Sequence, residues 1–300
     1  MGEILSVNEV RKSYGRLRAV DGVSFSVQQG EFFGILGPNG AGKTTTLEII
    51  EGLRAADSGD VSLLGTSPWP RNSALLPRIG VQLQASAFFE MLTAREQIRT
   101  FAALYGVPGA TGDDWLERVG LTDKADTRTE QLSGGQLQRL SIACALVHEP
   151  EVVFLDEPTA ALDPQARRNL WDLLSGLSTH GRTVVLTTHY MDEAEALCDR
   201  VAIMDHGKIL QLDAPAALVR GLDAAVLISV EPAALDGADA NRLPGVDSVE
   251  RTETSIVLAT RDPSTVLAAL AEKKALAGLQ VRGATLEDVF LELTGREYRA

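Results

Sequence analysis

The rhythm of apolar and polar positions changes several times along this 300-residue chain, and each change predicts an element. Residues 4–10 and 19–27 read as strands, the second with the period-two alternation of a sheet with one buried face. Residues 31–36 form a nearly continuous apolar strand that runs into a glycine loop and then a helix over 43–53. From about 85 to 150 the chain is mainly helical. Residues 93–105 and 114–119 carry apolar positions at helical spacing, and Gly106, Pro108, Gly109 and Gly112 separate them. Another helical run covers 137–146. After Pro150 strands and helices alternate, over 152–155, 166–177, 183–186, 191–197 and 201–204. Such alternation implies an α/β protein with a parallel sheet covered by helices. Near 220–222 the pattern shifts to short strands (225–230, 255–259, 279–282) between helices (263–273, 285–293). The expected organisation is a large domain over 1–220 and a small α/β domain over 221–300, with no internal repeat.

Composition narrows the function classes. Hydrophobic residues make up 45% and charged residues 23%, values that belong to a globular protein with a real core. The formal net charge of −13 argues against a broad basic face, so no nucleic acid is expected as a partner; a local basic patch stays open. Cys144 and Cys198 lie in apolar helical contexts and read as buried free thiols of a reducing compartment. Residues 1–10 read as a charged strand rather than a signal peptide. No apolar run approaches the roughly 20 residues that span a bilayer. Any membrane contact is therefore expected through a partner.

The glycine loop carries the first chemistry. Gly37, Pro38, Asn39, Gly40, Ala41, Gly42, Lys43 and Thr44 fit G-x-x-x-x-G-K-[ST] between a strand and a helix. Its glycines let successive N–H groups turn inward around phosphates. Lys43 is placed to reach the β- and γ-phosphates, and the Thr44 hydroxyl to bind Mg²⁺. A chance glycine turn is the bland alternative, and the flanking strand and helix argue against it. The apolar strand over 152–155 ends in Asp156 and Glu157. Asp156 suits a metal, and Glu157 suits proton acceptance from an attacking water; Pro158 keeps a solvated acidic turn as the alternative. His189 ends another apolar strand, where it either donates to a phosphate or plays the commoner structural part. Gln84 follows 79–83 and could touch Mg²⁺ or the water, with Gln82 competing for that role. Tyr14 offers a ring to an adenine base, although an aromatic at a turn more often packs. Leu132, Ser133, Gly134, Gly135 and Gln136 precede the helical run at 137–146. Ser133 is a candidate N-cap, so the helix would present free N–H groups and a positive dipole end to an anion.

Together these segments resemble the ABC-type ATPase, the nucleotide-binding subunit of ATP-binding-cassette transporters, over roughly residues 5–215. The resemblance implies a P-loop NTPase fold, an ABC ATPase core with a β-subdomain and a helical subdomain at about 85–150. It implies ATP and Mg²⁺ as cofactors. Residues 37–44 look like Walker A, with Thr45 joining the ATP contacts, and 152–156 like Walker B. Glu157 takes the place of the catalytic glutamate, His189 of the switch histidine, Gln84 of the Q-loop glutamine and Tyr14 of the adenine-stacking residue. Mg²⁺ is then expected at Thr44, Gln84 and Asp156. Ala161, Leu162 and Asp163 resemble the D-loop, with alanine where serine is frequent. Ser133 to Gln136 match the signature motif, which in this family meets the ATP of a second subunit. Ser133, Gly134, Gly135, Gln136 and Asp163 are therefore expected to act in trans, in a homodimer packed head to tail.

The segment 285–296 is similar to the end of ATP-binding subunits of ABC-2-type exporters, including the daunorubicin-resistance group, as are the contexts of the signature motif and of His189. This implies a separate ABC-2-type membrane permease, peripheral placement at the cytoplasmic face of the cell membrane, and efflux of a drug, lipid or glycan. Phe88, Phe89, Met91 and Leu92 are either core or a patch that receives a permease helix. Two other readings stay open: a soluble ABC ATPase acting on nucleic acid or ribosomes, and a regulatory module that holds ATP without turnover. One cassette, an acidic balance and no sustained heptads weigh against the first; Glu157 and His189 weigh against the second.

Overall fold

The computed structural model describes residues 2–83, 88–160, 162–179, 181–222 and 224–295. The chain divides into two compact units, one ending at residue 215 and the other running from 216 to beyond 290.

The first unit holds two sheets and a group of helices. Strands β1 (Glu3–Tyr14), β2 (Leu17–Gln28) and β4 (Ser58–Leu63) form an antiparallel sheet in the order β2-β1-β4. Val20, Val23, Phe25 and Val27 of β2 are buried, as the alternation along the strand requires. The second sheet has six strands: β5 (Ile79–Gln82), β6 (Val152–Asp156), β7 (Thr183–Thr188), β3 (Phe32–Leu36), β8 (Arg200–Asp205) and β9 (Lys208–Asp213), in that order across the sheet. Every pair is parallel except β8–β9, which close as an antiparallel hairpin. All residues of β3, β6 and β7 are buried, as central strands covered on both faces must be. Phe25 and Phe33 stack with centroids 5.0 Å apart, joining the two sheets in one apolar core. Each such side chain contributes roughly 1.5–3 kcal/mol on burial.

Helix α1 (Lys43–Ile50) follows β3 and stops three residues short of the expected end at 53. The physical reason is Gly52, at φ +73°, which turns the chain out of the helix. Helices α2 (Ala94–Leu104), α3 (Gly109–Arg118) and α4 (Gly134–Leu146) form the helical insertion, packed around Ile98, Ala102, Trp115, Leu116 and Leu140. Thr93 and Glu96 close a capping box on α2. Helices α5 (Pro164–Thr179) and α6 (Met191–Leu197) complete the unit. Strands β4 and β9 have no counterpart in the pattern reading. Both are largely exposed, with polar residues interrupting any alternation. No helix among the described residues is long and apolar enough to cross a membrane.

The division falls at 215/216, at the start of α7 (Pro215–Gly221), a few residues before the expected boundary at 220–222. The second unit then runs β10 (Val226–Val230), α8 (Gly237–Ala240), β11 (Ser248–Arg251), β12 (Ile256–Thr260), α9 (Pro263–Glu272), β13 (Gln280–Arg282) and α10 (Leu286–Thr294). Its four strands are antiparallel in the order β11-β12-β10-β13. Its own core includes Ile228, Val230, Ile256, Leu258, Val266 and Leu270.

Candidate functional site

The parallel register of the large sheet determines what can meet. Leu36 lies beside Thr188, and Asp156 beside Thr187. The carboxyl ends of β3, β6 and β7 are therefore neighbours, and the residues that follow them share one edge, where open α/β sheets hold ligands.

The loop after β3 is shaped by close approach. A side chain at Gly37 would put its Cβ 2.2 Å from the Met204 carbonyl oxygen, and Gly42, at φ +104°, leaves 2.1 Å to that of Ala19. Only glycine serves at either position. The loop ends on α1, whose first turn has free N–H groups. A cleft of about 440 Å³ opens here. Asn39, Gly40, Gly42 and Lys43 form one wall with Thr44 and Thr45 at the helix start, and Tyr14, Leu17 and Ala19 form the other. Gly37 and Ala41 are buried behind the loop, and Pro38 is half-buried. The Tyr14 ring is 41% exposed, with the Arg54 guanidinium 5.4 Å from its centroid.

Glu157 lines the same cleft and is held from several sides. Its Oε1 lies 3.1 Å from Lys43 Nζ and its Oε2 3.0 Å from His189 Nδ1. Its backbone adopts φ +48°, a left-handed conformation uncommon outside glycine. The Glu157 N–H donates to the carbonyl oxygen (3.1 Å) and to Oγ1 (3.0 Å) of Thr187, which hold the turn. Lys43 Nζ also donates to the carbonyl oxygens of Gly37 (2.8 Å) and Pro38 (3.2 Å), although the side chain is only 4% exposed. The Thr44 hydroxyl donates to Asp156 Oδ1 at 3.3 Å, and the Thr187 hydroxyl donates to the same oxygen. Burial raises the Asp156 pKa above the ordinary carboxylate value, the two hydroxyls pull it back, and the Glu157 charge raises it further.

A second cleft, of about 500 Å³, lies on the same unit and shares no residue with the first. Ser133, Gly134, Gly135 and Gln136 form one side, and Leu162, Asp163 and Ala166 the other. Ser133 caps α4 reciprocally: its Oγ accepts from the Gln136 N–H (3.3 Å), and its own N–H donates to Gln136 Oε1 (2.9 Å). Asp163 caps α5, its Oδ1 accepting from the N–H groups of Gln165 (3.0 Å) and Ala166 (2.9 Å).

The structure thus gathers Tyr14, much of the 37–45 loop and Glu157 around one cleft, with Asp156 behind Thr44 and His189 behind Glu157, and Ser133 to Gln136 with Asp163 around another. Gln84 and Ala161 lie outside the described residues. Gln82 is buried; its Nε2 donates to the Leu83 carbonyl oxygen (2.6 Å), and its Oε1 has no partner among the described residues. Pattern reading missed Thr187, whose hydroxyl donates to the Asp156 carboxylate and accepts the Glu157 backbone N–H. The available signal was a pair of threonines after the apolar run Val184–Leu186, since a buried hydroxyl needs a partner. It also missed Glu51 at the end of α1. Both of its carboxylate oxygens lack a partner among the described residues. Burial, then the charges of Asp156 and Glu48, raise its pKa well above the usual carboxylate range.

A glycine loop between β3 and α1, with acids at the end of the parallel strand next but one, defines a P-loop nucleotide-binding protein. Comparison with known proteins gives the family. Residues 20–160 match the ABC transporter family model. The Nod factor export ATP-binding protein I of Ralstonia nicotianae is 40% identical over 306 residues, covering 99% of this chain and 95% of that protein. The linearmycin resistance ATP-binding protein LnrL of Bacillus subtilis is 36% identical over 310 residues, covering 99% and 100%. Among solved structures, cbiO1 from Clostridium perfringens, part of the ABC transporter complex cbiONQ, superposes with a TM-score of 0.66 at 29% identity, covering 74% of this chain and 94% of that one. The dimeric post-hydrolysis structure of the ATP-binding cassette MJ0796 bound to ADP and Pi gives 0.64 at 28%, covering 70% and 98%. The chain belongs to the ABC transporter family, as an ATP-binding and ATP-hydrolysing subunit with the cassette fold.

Proposed function

We propose that this chain powers an ABC-2-type membrane exporter, as a homodimer of ATPase subunits docked on a separate permease at the cytoplasmic face of the cell membrane. The observation that carries the reading is the joint hold of Lys43 and His189 on Glu157 at the floor of the phosphate-loop cleft. In this reading Glu157 is the proton acceptor, with Lys43, the cation for phosphate, on one side and His189 on the other. The names of the two relatives, one for Nod factor export and one for linearmycin resistance, support outward transport.

In the first cleft, Tyr14 stacks on adenine, and the loop N–H groups with Lys43 and Thr45 hold the phosphates. Thr44 Oγ1 and Asp156 Oδ1 are hard oxygen donors side by side, the donor type Mg²⁺ takes, and Gln84 is the further ligand in this reading. Bound there, Mg²⁺ offsets phosphate charge. Glu157 accepts a proton from the attacking water, and His189 donates a hydrogen bond toward the γ-phosphate. The second cleft serves the partner subunit. Ser133 Oγ and the first N–H groups of α4 meet the partner's γ-phosphate, with Asp163 beside them. ATP then holds two clefts together, and its hydrolysis releases them. Two clefts on one unit that share no residue support this division of labour. The exposed side chains Phe89 (62%) and Met91 (67%) support the reading of 88–92 as a permease-facing patch.

The test is co-expression with the permease and light scattering of the purified chain. E157Q is expected to form an ATP-dependent dimer, and wild type to show ATPase activity stimulated by the permease in lipid. A variant that stays monomeric at saturating ATP counts against the homodimer.

A further inference from the structure

A continuous line of contacts joins the two clefts within one subunit. It begins at Asp163, in the wall of the second cleft, where the Asp163 carbonyl oxygen accepts the Arg167 N–H at 2.9 Å in the first turn of α5. Gln165 and Ala166, between them in the chain, line the same cleft. The Arg167 guanidinium carbon sits 3.9 Å from the centroid of the Tyr190 ring, and the side chain is only 19% exposed. The Tyr190 ring in turn lies 4.0 Å from the His189 ring, tilted by 42°. His189 Nδ1 then meets Glu157 Oε2 at 3.0 Å, and Glu157 meets Lys43 in the first cleft.

The chemistry of this line is specific. A guanidinium over an aromatic face is attracted by the ring quadrupole, more strongly when shielded from water. Arg167 also lies 3.7 Å from Asp192 Oδ2, but Asp192 is 63% exposed, so that pair is screened and weak. The Arg167 charge also acts on the buried Glu193 carboxylate, and the ring face is the contact that leads to His189. The Tyr190 ring thus contacts both a cation on α5 and the imidazole of His189.

We propose that Arg167 and Tyr190 are positioning residues that set His189 against Glu157 and transmit the state of the second cleft to the first. This rests on the reading of the first cleft as the hydrolytic site. Filling the second cleft displaces or fixes the start of α5 through Asp163. Arg167 moves with that turn, and the His189–Glu157 contact tightens or loosens with it.

The test is a double-mutant cycle in the full chain, with kcat and KM for ATP and direct binding of a fluorescent ATP analogue. R167Q and Y190L each lower kcat by roughly 5- to 20-fold, the factor that corresponds to a shielded cation–π contact, with nucleotide affinity within about twofold of wild type. The double variant is no more than about twofold worse than the weaker single, because both remove one contact. Y190F, which keeps the ring, retains more than about half of kcat. Losses that multiply in the double variant, or a Y190F as impaired as Y190L, overturn the bridge. E157Q run alongside separates the two ideas. Wild-type turnover in E157Q overturns the reading of the cleft itself, whereas an inactive E157Q with multiplying losses overturns the bridge alone.

Discussion

Replacing Glu157 with glutamine separates chemistry from architecture at this site. The carboxylate makes two side-chain contacts, 3.1 Å to Lys43 and 3.0 Å to His189, and its backbone is fixed independently by Thr187. An amide keeps the shape. Its oxygen still accepts from Lys43, its nitrogen can donate to His189 Nδ1, and Lys43 retains the carbonyls of Gly37 and Pro38. What is lost is charge assistance, the difference between about 1.5–3 and about 0.5–1.5 kcal/mol per hydrogen bond, partly offset by removing a buried charge. The melting temperature is therefore expected to fall by only a few degrees, on the scale of roughly 2–4 °C per kcal/mol for a unit of this size. Turnover loses the general base, worth about 10²–10⁴-fold, or roughly 2.7–5.5 kcal/mol. K43A is the contrast. It leaves the carboxylate, 7% exposed, with His189 as its remaining side-chain contact of these two. Breaking a buried pair from one side costs about 3–5 kcal/mol. Phosphate release, calorimetry and nucleotide binding on both variants check the contrast. E157Q hydrolysing ATP within threefold of wild type would falsify the assignment of Glu157 as base. An E157Q melting as low as K43A would show that the carboxylate is structural first.

Three further outcomes follow from the geometry. S133A loses an N-cap whose hydrogen bond is already long at 3.3 Å, so its stability cost is near the low end of about 0.5–2 kcal/mol. ATP binding should persist while the ATP-dependent dimer is lost in light scattering; a normal dimer sinks the in-trans role. F89S with M91S should cut permease co-purification with ATP binding intact, because both side chains are exposed; unchanged co-purification removes the patch from the interface. E51Q tests the buried carboxylate through pH. The folded-state pKa of Glu51 is raised, mainly by burial, so between the ordinary carboxylate pKa and the raised value the folded state holds the proton more tightly than the unfolded state. Its contribution to stability is thus lost as pH rises through that window. E51Q should melt higher than wild type at pH 8 and equally at pH 4; equal curves at both pH values refute the argument.

Local chemistry was legible in the chain wherever one segment supplies its own constraint. The loop 37–44 announces itself because turn, lysine and hydroxyl are contiguous. The central strands are legible because burial on both faces leaves short runs dominated by apolar residues. The N-cap at Ser133 is legible because a capping box needs only positions i and i+3. Strands β4, β9 and β11 were not legible. They are short, exposed and partly polar, and exist because neighbours offer them hydrogen bonds. Thr187 was visible only as a residue of β7, since its partners Asp156 and Glu157 are about 30 positions away.

The chain by itself determined which residue types stand at each loop, and hence that phosphate, a hard cation and a proton acceptor could be served. It determined the segment 132–136 as the capped start of a helix. The tertiary structure decided which of these meet. The order β6-β7-β3 and its parallel register bring Glu157, His189 and Lys43 to one edge, because parallel strands align their carboxyl ends. The same packing sets Ser133 and Asp163 around a separate cleft. Arg167 and Tyr190, unremarkable in the sequence, join the two, because α5 and the end of β7 are neighbours only in the folded chain.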